Sequence, residues 1–257
     1  MKNHNTGDQQ LISERKVNSR TLISFSIFFL LFAIGIFVFF KVKTQPKETQ
    51  STGVQEPLGK VLDANEKVFT NTLSPKHLAK TFPKTAAAKK PRVNGDVGMG
   101  EDFNAEAWRL HLIRGDGDTI LIGIEDIRKL PKTEIVFDFK CIEGWSQVTH
   151  WGGVKFSDFI RAYHLDLQSG MQYVGLVTPD SAYYVGIDMA SAMHPQTLLC
   201  YEMNGKPLPM DQGYPLRLII PVKYGIKSLK RIGTLFFSND RPKDYWYERG
   251  YDYYSGL

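Results

Sequence analysis

The sequence predicts a mixed α+β domain held behind a single transmembrane helix. Three observations lead there. Residues 21–40 form an uncharged apolar run, residues 41–92 are basic and lack hydrophobic periodicity, and the remainder alternates short apolar-patterned segments with turn signals. Many short strands with a few short helices between them suit mixed β-sheets rather than a bundle.

The apolar run, Thr21 to Phe40, reads TLISFSIFFLLFAIGIFVFF. At about 1.5 Å rise per residue it spans roughly 30 Å, the thickness of bilayer hydrocarbon. A cleaved signal peptide would have a shorter apolar core followed by a small-x-small site, and Lys41-Val42-Lys43-Thr44 offers none. The predicted organisation is a short tail (1–20), an uncleaved membrane helix (21–40), a basic flexible tether (41–92) with a short helix around Pro75–Lys80, and a folded domain (93–257). Lys and Arg flank both ends of the run, so the positive-inside rule discriminates weakly. The short N-terminal tail favours a domain on the extracytoplasmic, periplasmic side.

Within the domain, Trp108–Ile113 largely alternates and runs into Gly115–Gly117, as a half-buried strand entering a hairpin. Ile124–Leu130 patterns as a short amphipathic helix stopped by Pro131. Ile135, Phe137, Phe139 and Cys141 then fall on one face of a strand, with Val136, Asp138 and Lys140 on the other. Ser157 is placed to cap a helix through Phe159, Ile160 and Tyr163. Further strands are predicted at Tyr173–Val177, Tyr183–Ile187, Leu198–Met203, Leu216–Pro221 and Ser228–Phe237, with Asn204-Gly205 as a hairpin turn. The acidic and aromatic tail from Asp244 to Tyr254 is expected to pack over a sheet edge.

The net charge of +5 is unevenly spread: +2 over residues 1–20, +7 over 41–92 and −4 over 93–257. The basic character belongs to the tail and tether, and this distribution does not support a nucleic-acid-binding surface. Two cysteines, Cys141 and Cys200, are too few for a disulfide scaffold or a thiolate-only metal cluster, although one bridge between them stays open. The six histidines show no ligand spacing, and His150 and His194 read as capped or surface residues.

Three places could carry chemistry. Cys141 ends an alternating strand just before the break Ile142-Glu143-Gly144-Trp145; it reads either as a small buried hydrophobe or as a soft thiolate ligand. Alone it cannot make a metal site, so any metal must bring most of its own ligands. The stretch DQGYPLRLIIPVKYGIKSLKRI holds Arg217, Lys223, Lys227, Lys230 and Arg231 against one carboxylate, Asp211. Such an island suits a phosphate-bearing ligand, with glycines 213 and 225 allowing close approach; a Lys-studded edge strand is the competing reading. Pro91–Gly98, at the tether's end, reads as a turn. Trp145 and Tyr184 are candidates for an apolar pocket wall or for core aromatics.

Together, FKCIEGWS, the W-x-G-V-x-x-x-D-F-I stretch at Trp151–Ile160, YEMNGKPLP at Tyr201–Pro209 and GYPLRLIIPVKYGIKSLKRI resemble the molybdopterin-binding catalytic domain of the sulfite oxidase superfamily over roughly Asn94 to Phe237. The match looks closer to its periplasmic protein-methionine-sulfoxide reductase branch. The resemblance implies a sulfite-oxidase-type fold and a molybdenum-molybdopterin cofactor, with Cys141 as catalytic residue and metal ligand beside the pterin's dithiolene sulfurs. It assigns Arg217 to the cofactor's phosphate, Ser228, Leu229 and Lys230 to the pterin, and Asn94, Thr178 and Gln212 to further cofactor contacts. It also implies two-electron oxygen-atom transfer from an S- or N-oxide and a membrane haem or flavin protein as electron partner. Gly144, Trp145 and Ser146 stand where sulfite-oxidising relatives carry arginines, and the C-terminal dimerisation domain of those relatives is missing. Both departures lead to the expectation of a smaller, monomeric enzyme for which sulfite is the lesser alternative. A catalytically silent tethered binding module is the other.

Overall fold

The computed structural model describes residues 14–44, 56–72, 76–93, 95–115 and 117–257. Two helices come first, α1 (Glu14–Lys43) and α2 (Glu56–Thr72). The domain follows as β1 (Leu110–Gly115), β2 (Asp118–Ile122), α3 (Ile124–Arg128), β3 (Lys132–Lys140), β4 (Ser146–Lys155), α4 (Phe156–Ala162) and α5 (Asp166–Ser169). After these come β5 (Tyr173–Val177), β6 (Tyr184–Asp188), α6 (Met189–Ala192), β7 (Leu198–Met203), β8 (Lys206–Pro207), β9 (Arg217–Ile219) and β10 (Thr234–Ser238).

The α+β expectation holds. One sheet has the order β2-β1-β10-β5-β6, and the second runs β3-β4-β7-β8 with β9 also paired to β7. Among the described residues only β1 and β10 pair in parallel, and the other ladders are antiparallel. The main core lies between the first sheet and one face of the second, and takes Leu110, Leu112, Phe156, Phe159, Leu199 and Leu218. A smaller core covers the other face of the second sheet, with Ile135, Phe137, Trp151, Leu198, Cys200 and Ile219. Alternate residues of β7 thus enter different cores, as the two-residue period of a doubly covered strand requires.

The longest strand of the domain, β4, does not follow from the sequence pattern. Residues Thr149 to Val154 are buried without alternation, and the ladder to β7 shifts register between Gly152 and Gly153. A Cβ on Gly153 would collide with the Leu199 carbonyl, so this glycine lets two backbones approach. Ser157 does not cap α4: the helix begins one residue earlier, its N-cap is Lys155, and no side chain caps it.

Within the region expected as a flexible tether, the described residues 56–72 and 76–92 make defined contacts with the domain. Pro75 lies outside the described residues, and Lys76–Lys80 is not helical. Instead α2 is a 17-residue helix whose Asp63 and Glu66 meet Arg241 at 2.8 and 2.6 Å. Further on, the Phe82 N–H donates to Val136 O, Ala88 N–H donates to Val148 O, and Thr81 bridges Phe137, which fastens this segment to the second sheet. Burial of Glu66 raises its pKa.

Helix α1 contains one span, Val17–Lys43, long and apolar enough to cross a membrane, with a mean hydropathy of 2.8. Its side chains from Leu22 to Phe40 are exposed, as a helix facing lipid requires. The acidic and aromatic tail packs on β6, an edge strand of the first sheet, where the Tyr245 N–H donates to Tyr184 O at 2.9 Å.

Candidate active site

Strand β3 carries Phe137 and Phe139 into the smaller core, and Cys141 continues the same face one residue beyond its end. A tight turn sets the thiol: Cys141 N–H donates to Trp145 O at 2.9 Å, and Gly144 N–H donates to Cys141 O at 3.1 Å. Gly144 has φ +86°, a conformation that a side chain makes costly. Cys141 is 4 % exposed and lines a cavity of about 340 Å³, a volume within the range of cofactor and small-molecule sites. Cys200 sits elsewhere, fully buried in the smaller core, and burial pushes its thiol pKa well up. Neither cysteine is in a disulfide.

Arg217 at the start of β9 is the second component. Its Nη1 donates to Gln212 O at 2.9 Å and Gln212 Oε1 at 3.0 Å, its Nη2 to Ser228 O at 3.2 Å, and its guanidinium lies 4.6 Å from the Trp151 ring centroid. Its Nε has no partner among the described residues, and no carboxylate there pairs with it. Burial lowers its pKa to about 10, which still leaves it charged at neutral pH. Lys230 lines the same cavity, with Nζ 3.0 Å from both Gly95 O and Asp211 O. Burial, then the neighbouring Arg217 charge, push its pKa down to about 8.

The five cations of the basic stretch therefore divide. Lys223 pairs with Asp188 at 2.6 Å and Lys227 with Asp244 at 2.5 Å, all four side chains being buried. Arg231 donates to Gly100 O at 3.0 Å and packs on Phe103. These residues are interior, so the stretch is not a Lys-studded edge strand; its cavity face is Arg217 and Lys230.

Of the other predicted contacts, Gln212 and Ser228 line the cavity. Thr178 does not: its hydroxyl is 2.6 Å from Asp180 Oδ1 and accepts from Tyr183 N–H. Leu229 lies between the cavity residues Ser228 and Lys230 with its side chain fully buried in the main core, which leaves only its backbone for the contact the resemblance implies. Asn94 lies outside the described residues. Glycines 213 and 225 meet protein rather than open space, since a Cβ there would press on Lys230 and on the Phe139 ring. Trp145 lines the cavity, but Tyr184 donates to Glu248 and its neighbour Tyr183 takes the wall position. The two histidines read as capped or surface groups are buried: His150 contacts Glu134, and His194 contacts His77 O. Arg92, Trp246 and Tyr251 also line the cavity; the sequence singled out their segments, Pro91–Gly98 as a turn and Asp244–Tyr254 as a sheet-edge cover, without marking these residues as site residues.

The residues fit the expected group. A single thiol faces the cavity, and no cluster of three or more metal-ligating side chains occurs among the described residues. A metal already chelated by a dithiolene needs few protein ligands, and a desolvated guanidinium with an unused N–H and no counter-charge suits a phosphate.

Residues 97–246 match the family described as the oxidoreductase molybdopterin binding domain. A protein of Azospira oryzae, named provisionally as the protein-methionine-sulfoxide reductase subunit YedZ1, is 35% identical over 184 residues, 71% of this chain and 69% of that protein. The protein-methionine-sulfoxide reductase catalytic subunit MsrP of Campylobacter jejuni is 32% identical over 168 residues, 58% of this chain and 55% of its own length. MsrP of Xanthomonas campestris is 34% identical over 139 residues, 48% of this chain and 42% of its own. The chain thus spans about half the length of these two MsrP relatives. The sulfane dehydrogenase SoxCD of Paracoccus pantotrophus superposes with a TM-score of 0.49 at 17% identity, over 65% of this chain and 46% of that one. With more than half of its residues inside the matched domain and a cavity that suits the cofactor, the chain belongs to the oxidoreductase molybdopterin-binding domain family.

Proposed function

We propose that this chain is a membrane-anchored molybdopterin oxidoreductase that removes oxygen from an S- or N-oxide, with Cys141 as the protein's ligand to molybdenum. One observation carries the reading: a thiol at a strand end and the buried, carboxylate-free Arg217 guanidinium face the same cavity. The identity to methionine-sulfoxide reductase subunits supports an S-oxide as the substrate class. The bound cofactor supplies a polarizable metal centre able to take up an oxygen atom and cycle two electrons.

The protein's own residues hold and screen. Arg217 and Lys230 grip the cofactor's anionic end, and Gln212 and the Ser228 carbonyl fix the guanidinium plane. Phe139, Trp145 and Trp151 keep the region around the thiol poor in water. Removing oxygen from a sulfoxide consumes two electrons and two protons and yields a thioether and water. The electrons come from a membrane haem or flavin protein, and α1 keeps the domain within its reach on the extracytoplasmic side.

The purified chain is expected to carry molybdenum and pterin and to reduce methionine sulfoxide with a chemical electron donor. Cys141→Ser should abolish turnover while circular dichroism stays unchanged. Protein without metal or pterin overturns the cofactor assignment, and full activity in the serine variant overturns the role of Cys141. A loaded protein that turns over no oxide points to a binding module.

A further inference from the structure

The cavity's mouth is built partly by chain outside the matched domain. Arg92 precedes residue 97, Tyr251 follows residue 246, and Trp246 is the last matched residue. The Trp246 and Tyr251 rings meet edge to face at 5.0 Å, and the Tyr251 N–H donates to Trp246 O at 3.0 Å. Tyr245 joins them, 5.2 Å from Trp246 and 5.1 Å from Tyr183, which itself lines the cavity.

This wall is rigidly founded. Asp244 Oδ1 accepts from the Trp246 and Tyr247 N–H groups at 3.2 and 3.0 Å, while its Oδ2 takes the buried Lys227 ammonium at 2.5 Å. Lys227 neighbours Ile226 and Ser228, two further cavity residues, so the ion pair locks the tail to the cofactor-facing stretch. Trp145 lines the mouth as well, its indole N–H held by Glu143 at 3.0 Å and its ring face covered by Arg92 at 4.8 Å.

Resting on the oxide-reductase reading, we infer that Trp246 and Tyr251 are specificity-determining residues, forming with Trp145 an aromatic rim that takes the alkyl arm of a sulfoxide. Aromatic edges and faces favour the polarizable sulfur and the methylenes beside it. A hydrated oxyanion would shed its water against these aromatic faces without recovering its hydrogen bonds there. The rim therefore favours long-armed neutral oxides over small or anionic sulfur substrates.

Steady-state reduction of methionine sulfoxide and of dimethyl sulfoxide by the full-length holoenzyme tests this, with molybdenum content as the loading control. Trp246→Ala and Tyr251→Ala should each raise KM for methionine sulfoxide by roughly tenfold, with kcat changing far less, the size expected for a lost apolar contact. The KM for dimethyl sulfoxide, which has only methyl groups, should move by less than about threefold on the same scale. Trp246→Phe should recover most of the loss. Tyr251 is 39 % exposed, so its variant remains informative if the tryptophan variant does not fold. Equal changes for both substrates, or none, overturn the inference. A wild-type holoenzyme that reduces neither substrate overturns the oxide reading itself, whatever the variants do.

Discussion

The same residue types occur twice in this domain, once facing the cavity and once facing the interior. Arg217 reaches the cavity with no carboxylate paired to it among the described residues, and Lys230 lines the same cavity; Lys223 and Lys227, within the same stretch, each hold a buried carboxylate. Cys141 ends a strand at the cavity, whereas Cys200 is closed inside the smaller core. Charge or polarizability in the sequence does not separate the members of either pair. What separates them is whether the fold turns them to the cavity or closes them inside, and a desolvated guanidinium such as Arg217 with an unpartnered N–H is a stronger sign of a missing ligand than a cluster of positive charge.

Substitution of the lysine and arginine should break this symmetry most visibly. Lys227→Ala leaves the Asp244 carboxylate buried without its partner, and urea unfolding should show a loss of about 3–5 kcal/mol. Arg217→Ala, which strands no carboxylate, should cost the cofactor-free protein much less and lower its pterin content at least about tenfold, the loss of a charge-assisted grip. A reversed pattern would mean that the two cations have been assigned to the wrong roles.

The cysteines sharpen the contrast at a smaller scale. Cys200→Ser places a hydroxyl among Leu198 and Ile219 and should destabilise the fold by about 1–3 kcal/mol. Burial holds the Cys200 thiol protonated, so iodoacetamide should label Cys141 first in cofactor-free protein and neither residue in loaded protein. Mass mapping of the label decides.

Lys230 gives the smallest effect. It carries its charge below a pKa of about 8 and loses it above, so its help to an anion is present at pH 7 and fades through pH 9. Pyrophosphate binding to cofactor-free protein, measured by calorimetry, should weaken a few-fold over that interval, which corresponds to about 1 kcal/mol. Lys230→Gln should flatten the dependence.

Legibility in the sequence followed burial pattern. Strands β5 and β7 stand at their predicted limits, and the one-sided alternation from Ile135 to Cys141 identified the face that reaches the cavity. Strand β4 was illegible because both its faces are covered and two glycines interrupt its pattern. Helix α2 turns Gly59 and Glu66 to the domain and docks through charge to Arg241, with Val61 and Val68 exposed, so hydrophobic periodicity carried no signal of its contact. At the site, Cys141, Gln212, Arg217, Ser228 and Lys230 were readable from their motifs, and the structure brings all five to one cavity. Thr178, which no motif contains, turns its side chain into the protein, and Leu229 offers the cavity segment only its backbone. Tyr184 was the right segment and the wrong side of its strand, since neighbours on a strand face opposite ways.

The docking of α2 on Arg241 sets the length of the leash. Without the clamp, the chain from Thr44 to Lys80, where the segment meets the second sheet, bounds the reach from the end of the apolar helix at roughly 130 Å, at about 3.5 Å per extended residue. With α2 fastened, the bound is set by the number of residues separating the ends of the two helices, Lys43 and Glu56, and the same arithmetic gives at most roughly 45 Å. On the membrane-anchored reading proposed above, the clamp keeps the domain within that distance of the apolar helix, and cutting it would enlarge the volume open to the domain by about an order of magnitude or more.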